Sequence, residues 1–306
     1  MKKIIAAVIA VLVIAIVFTP FVNGIIMEKI VRQSQNDVNQ LYSDTGTDIT
    51  LEIIEYNRNF RSSDIVWKVN FGSLKNVYGI DEVVLTDHAV HGYTGIVSTT
   101  SLDKNPWFSS FVDTKLNGSN PFSITTRYGL DGAIGTEILI DEFAMETEGK
   151  TVQVHSGRIT AACSPGFDEI TSEALWNGLE IDEVVNIDKA EMNYDLKKIS
   201  TYIWEGSIEY ELAGISAREE GQEFEFSGLK GDYSLDYMEK ENMLSTGITV
   251  GFDALTAPDL NIRDASISLR MNQLDAQGYD DFMTLYTQTV NSAIKDIANA
   301  QDDPEK

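Results

Sequence analysis

The sequence predicts a mainly β protein: an elongated, curved antiparallel sheet of β-hairpin units, preceded by one N-terminal transmembrane helix and followed by a terminal amphipathic helix. Three observations predict this. Residues 4–26 carry no charge. From about residue 46 the chain is dominated by short runs in which apolar and polar residues alternate. A helical stripe of apolar residues returns only near the end.

The first element is "MKKIIAAVIAVLVIAIVFTPFVNGII". As a helix, Ile4 to Ile26 would reach about 34 Å, enough for a bilayer core. A cleaved signal peptide has a shorter apolar region that ends in small residues. Here the run is long, and "FTPFVNG" is a poor match to such a site, so an uncleaved anchor is expected. Lys2 and Lys3 precede the span, which places the N-terminus in the cytoplasm and the rest across the membrane, in a bacterium the periplasm. Residues 1–26 are thus read as cytoplasmic stub and anchor. Residues 27–45 follow as a helical stalk, with Ile30, Val31, Val38 and Leu41 on one loosely apolar face.

Residues 46–306 form the expected β-rich domain. "DITLEIIEYNRNF", "DIVWKVNFG" and "VYGIDEVVLT" are rich in β-branched and aromatic residues at a period of two. Further strands are expected at Phe122–Tyr128, Thr136–Phe143, Thr151–His155, Ile199–Leu212, Glu223–Phe226, Tyr233–Met238, Leu244–Phe252 and Ala265–Leu269, punctuated by "NGSNP", "TEGK", "KEN" and "PDLN". In "EFEFSG" the phenylalanines point one way and the glutamates the other, as on a sheet with unlike faces. Two helices interrupt this pattern. "DEITSEALWNG" offers Asp168 or Thr171 as a cap and Gly178 as a stop. From about 276 to 299 a second helix places Phe282, Leu285, Tyr286, Thr289, Ala293, Ile294 and Ile297 on one stripe, with Asp275 as its cap.

A formal net charge of −25 repels phosphates, so no nucleic-acid partner is expected. The acids are spread through the strands, as on solvated sheet faces. One cysteine, Cys163, excludes an intrachain disulfide and a cysteine-based zinc framework. Without an adjacent base it reads as a small core-facing residue.

Three histidines occur. His88 and His91 are the weak candidates for a metal site, because a pair three apart shares a face on a helix. On a strand the same spacing sends them to opposite faces, and the preceding "IDEVVLT" is strand-like. His155 is expected to face solvent with Gln153. No GxSxG elbow, EF-hand loop, GxxxxGK[ST] or GxGxxG occurs. No catalytic residue and no cofactor is therefore assigned.

The anchor opening on "MKK", the "G" and "E" of "NGIIMEK", the His91-Gly92 pair after a strand and "ISLRMNQLDAQGYDDFMTLY" near the end resemble the YdgA-like family of inner-membrane-anchored bacterial proteins. Its landmarks here are His91, Gly92, Asn272, Leu274 and Asp275; the proline usual after His-Gly is replaced by Tyr93. The resemblance implies a periplasmic β-rich body and, more distantly, kinship with AsmA-like proteins linked to envelope lipid transport. It implies no catalytic residues. The expected function is a non-enzymatic, membrane-anchored envelope protein that binds or guides lipid acyl chains along an apolar sheet face. The alternatives are a protein-interaction scaffold and, third, an unrecognised hydrolase.

Overall fold

The structure, a computed structural model, describes residues 2–72, 75, 80–147, 149–182, 184–219 and 222–302, with side chains from 17 to 293 among them. Among the described residues there are three α-helices: α1 (Lys2–Asp44), α2 (Pro106–Lys115) and α3 (Ala276–Asp302). The strands are β1 (Thr50–Arg58), β2 (Ser62–Asn70), β3 (Glu82–His91), β4 (Ile96–Ser101), β5 (Phe122–Tyr128) and β6 (Ile134–Ile140). Short strands follow: β7 (Phe143–Thr147), β8 (Lys150–Val154), β9 (Gly157–Cys163), β10 (Glu169–Trp176), β11 (Leu179–Ile181), β12 (Val185–Ile187) and β13 (Ala190–Lys198). Four long strands complete the set: β14 (Trp204–Glu219), β15 (Gln222–Met238), β16 (Met243–Ala257) and β17 (Leu260–Asp275).

All are joined in one open antiparallel sheet. Its main line runs β1-β2-β3-β4-β5-β6-β9-β10-β13-β14-β15-β16-β17. A second line, β7-β8-β11-β12, joins the far half of β14. The two lines are halves of the same strands. Ile140 and Phe143 are separated by two unpaired residues, as are Val154 and Gly157, Trp176 and Leu179, and Ile187 and Ala190. In the long strands the same step falls at Ala213, Gly228, Asp253 and Asp264, which the ladders skip while the register on either side is unchanged. A single crease therefore crosses the strands from β6 to β17, and the alternation of side chains between the faces shifts by one residue at it. Positive φ permits the step at Gly178 (98°), Gly228 (68°) and Asp264 (52°).

Helix α1 is continuous from the apolar run into the segment expected as a stalk. Among the described residues no helix is long and apolar enough to cross a membrane. Much of the expected span, residues 4–16, lies outside the described side chains. From Pro20 onward the helix is docked: Pro20, Met27 and Val31 are fully buried. Met27 and Val31 share a core with Ile65, Trp67, Ala89, Ile96 and Tyr128. Apolar residues there are satisfied by the sheet rather than by lipid. Asn39 adds a polar contact, donating from Nδ2 to the Leu51 carbonyl and accepting from the Leu51 N–H at Oδ1, each at 2.8 Å. That pair occupies the backbone groups an incoming strand would use on edge strand β1.

Two expectations about helices are corrected. "DEITSEALWNG" is strand β10, because Ile170, Ser172, Ala174 and Trp176 alternate against β9 and β13 on both sides. Ladder pairing outweighs the local cap and stop signals. Helix α2 was not anticipated, although Pro106 at its first position and Asn105 before it are a starting signature. It packs Phe108 against Phe122 of β5.

Candidate functional site

Residues directly opposite in an antiparallel ladder share a face. Following the register from β6 to β17 gives one row of Ile138, Ile159, Ala174, Met192, Tyr210, Gly231, Val250 and Ile267. The neighbouring row on the other face is Glu137, Thr160, Glu173, Asn193, Glu209, Asp232, Thr249 and Ser268. Beyond the crease an all-apolar row continues: Phe143, Val154, Leu179, Ile187, Ile215, Phe226, Leu255 and Ile262. Ring contacts show that the apolar side stays the same across it. Phe226 lies 5.3 Å from Phe252, and Phe143 lies 6.5 Å from Phe122, each pair straddling the crease.

This apolar face is open toward β17. Ile267 is 79% exposed, Leu269 54% and Ile248 42%. Helix α3 leaves it uncovered and adds its own exposed stripe of Phe282, Leu285, Tyr286 and Val290. The side of α3 nearer the body is anchored by Ala276 in a second core with Ile203, Leu235 and Leu244. Asp280 accepts a 2.5 Å hydrogen bond from the Ser200 hydroxyl.

The structure separates the two histidines of "TDHAVHGYTG". His88 is exposed and pairs with Asp64 at 2.6 Å. His91 is fully buried on the other face, with Nε2 2.9 Å from Ser63 Oγ. Burial, and secondarily the Arg58 charge, pushes its pKa down, while the carbonyls of Phe60 and Pro20 oppose this. Its Nδ1 is buried without a hydrogen-bond partner of ordinary geometry. The ring fills the space above Gly24 of α1, where an added Cβ would sit 2.3 Å from His91 Cε1. Beside it, Asn23 Nδ2 donates to the Gly92 carbonyl at 2.7 Å. The "NG" of the apolar run and the "HG" of β3 are thus the two halves of one helix–sheet joint, a pairing that no spacing in the sequence reveals.

Other candidates have local roles. His155 is half-buried at the crease, 3.4 Å from Glu180 Oε1. The Cys163 thiol faces the Ile134 carbonyl at 3.7 Å, and burial pushes its pKa up, away from the reactive thiolate. Among the described residues no group of three or more His, Cys, Asp or Glu is placed to hold a metal ion. In the landmark near the end, Asn272 is exposed and Leu274 packs into the second core. Asp275 Oδ1 accepts from the Gly278 N–H at 2.7 Å, capping α3. This landmark is the device that turns β17 into a helix.

Fold and face define a mainly β protein with one large open antiparallel sheet, its two sides chemically unlike. The chain belongs to the family described as bacterial protein of unknown function (DUF945), which matches residues 1–306. No curated protein and no solved structure matches it.

Proposed function

We propose that this chain is a non-enzymatic, membrane-attached protein of the bacterial cell envelope, with its N-terminus cytoplasmic and its sheet periplasmic. On this reading its apolar face binds or guides lipid acyl chains, and kinship with YdgA-like and AsmA-like proteins is part of the same proposal. The observation that carries it is the exposure of the apolar rows toward β17, where a sealed core would hide them. Eight strands at about 4.8 Å spacing give a row about 34 Å long, longer than an extended membrane acyl chain. Each methylene buried on it gains about 0.8 kcal/mol before association costs.

The test is native mass spectrometry of the detergent-extracted full chain, with displacement of a fluorescent fatty acid as the quantitative readout. Co-purifying phospholipid, and loss of fatty-acid binding in Ile248→Asp/Leu269→Asp, support the reading. Wild-type binding by that variant, or no lipid at all, refutes it. A second reading, a protein-interaction scaffold, is favoured by the exposed α3 stripe. It expects a stoichiometric protein partner lost on Leu285→Asp and retained in the sheet variant.

A further inference from the structure

We infer that one corner of the sheet seats directly on the membrane surface, so that the body lies against the bilayer rather than at the end of a stalk. This rests on the membrane attachment proposed above and specifies its geometry. The first argument is reach. Contact with the body is made already at Phe18, which meets Phe60, so at most residues 4–17 of the apolar run reach beyond it. As a helix that run spans at most about 21 Å, against about 30 Å of hydrocarbon. The remainder has to come from the surface of the body where the helix enters it.

That surface has suitable chemistry. Phe18 and Phe60 meet edge to face at 5.9 Å, and Phe21 stacks on Phe60 at 5.8 Å. Phe18 is 50% exposed, Phe60 43%, and Tyr93 in the adjoining turn 51%. The turns are contiguous, since the His91 N–H bonds the Arg61 carbonyl and Asn23 bonds Gly92. Val22 and Ile25 extend the exposed patch along the helix. Aromatic residues of this kind are favoured at headgroup level.

Charge supplies the independent argument. The chain has 48 acidic residues among 306, yet none falls in 1–27, 56–63 or 88–102. These stretches hold the N-terminal part of α1 and the turns after β1 and β3, which meet at this corner. Of the flanking acids, Glu28 is ion-paired with Arg58, and Asp64 lies 2.6 Å from His88 Nδ1. Arg61 is exposed beside Phe60. An anionic leaflet repels the rest of a −25 body and admits this corner.

The test uses full-length chain reconstituted into phosphatidylethanolamine/phosphatidylglycerol vesicles. Nitroxides are placed at Thr94→Cys, or at Asp259→Cys at the opposite strand ends, in a Cys163→Ser background. The expected result is alkali-resistant vesicle association, with the label at 94 lost to a water-soluble nickel chelate and the label at 259 fully accessible. Phe60→Ser/Arg61→Glu, both at exposed positions, should restore access at 94 while association persists. Association with equal accessibility at 94 and 259 overturns the seat and leaves the anchor standing. No association overturns the attachment and the seat together.

Discussion

Gly24→Ala tests the joint between α1 and the sheet, because two opposing effects can be weighed from the structure. Alanine is the better helix former by about 1 kcal/mol, and Gly24 lies inside a continuous helix. On propensity alone the substitution stabilises. Its Cβ, however, would lie 2.3 Å from Cε1 and 2.5 Å from Nδ1 of a His91 ring that has no solvent-exposed surface. Relieving such overpacking costs about 1–3 kcal/mol. The net is a loss of up to about 2 kcal/mol, or a fall of up to about 6 °C in Tm for a body of this size. The assay is thermal unfolding of the full chain in detergent, followed by circular dichroism. His91→Ser alone is destabilising, since it leaves a cavity and breaks the Ser63 bond. In Gly24→Ala/His91→Ser the overpacking disappears, and the pair should show a coupling of about 1–3 kcal/mol in the favourable direction. A rise in Tm for Gly24→Ala, or additivity in the double variant, would refute the joint.

Removing the edge cap by Asn39→Ala breaks both of the Asn39 hydrogen bonds to Leu51 and leaves its carbonyl only the 3.1 Å bond from Gln35 Nε2; a stability loss of about 1–3 kcal/mol with increased light scattering is expected, and unchanged scattering would show that the edge is protected otherwise. Asp87 is buried, accepts from Trp67 Nε1 at 2.8 Å and from the Thr100 hydroxyl, and burial raises its pKa above 3.8. Its contribution to stability is therefore fully present below its unfolded value and declines as pH rises through its folded one; denaturant midpoints across acid pH should lose that slope in Asp87→Asn. His91 has the opposite sign. Its pKa is lowered from 6.5, so its contribution holds above that value and fades as pH falls through the folded one, and His91→Ser should flatten this limb.

The sheet was legible because alternation needs only neighbouring residues: Phe122–Tyr128 is a strand with the expected bounds, and "EFEFSG" lies in β15. Helix α3 was legible from its stripe, and its start follows Asp275. The crease was hidden, since a one-residue slip in a single strand looks like the end of that strand. Glu223–Phe226 and Tyr233–Met238 read as two segments for this reason, whereas β15 runs through both. Residues 168–178 misled because Asp168, Thr171 and Gly178 are good helix punctuation, while the ladders that overrule them are set by distant partners. Of the candidate residues, the opposite facing of His88 and His91 follows from strand period alone. What His91 does could not be read, because its partner Gly24 sits in a run whose hydrophobicity pointed only to lipid.

The crease also constrains how such a chain can change in length. Because each strand from β6 to β17 shifts its alternation on one common line, a whole hairpin carrying the same shift can be gained or lost with the flanking rows still in step. A lone residue added on either side of that line turns half of one strand inside out, exchanging its acids with its aliphatics. Families built on this sheet should therefore differ in hairpin number and in turn length, while the distance from each turn to the crease is kept.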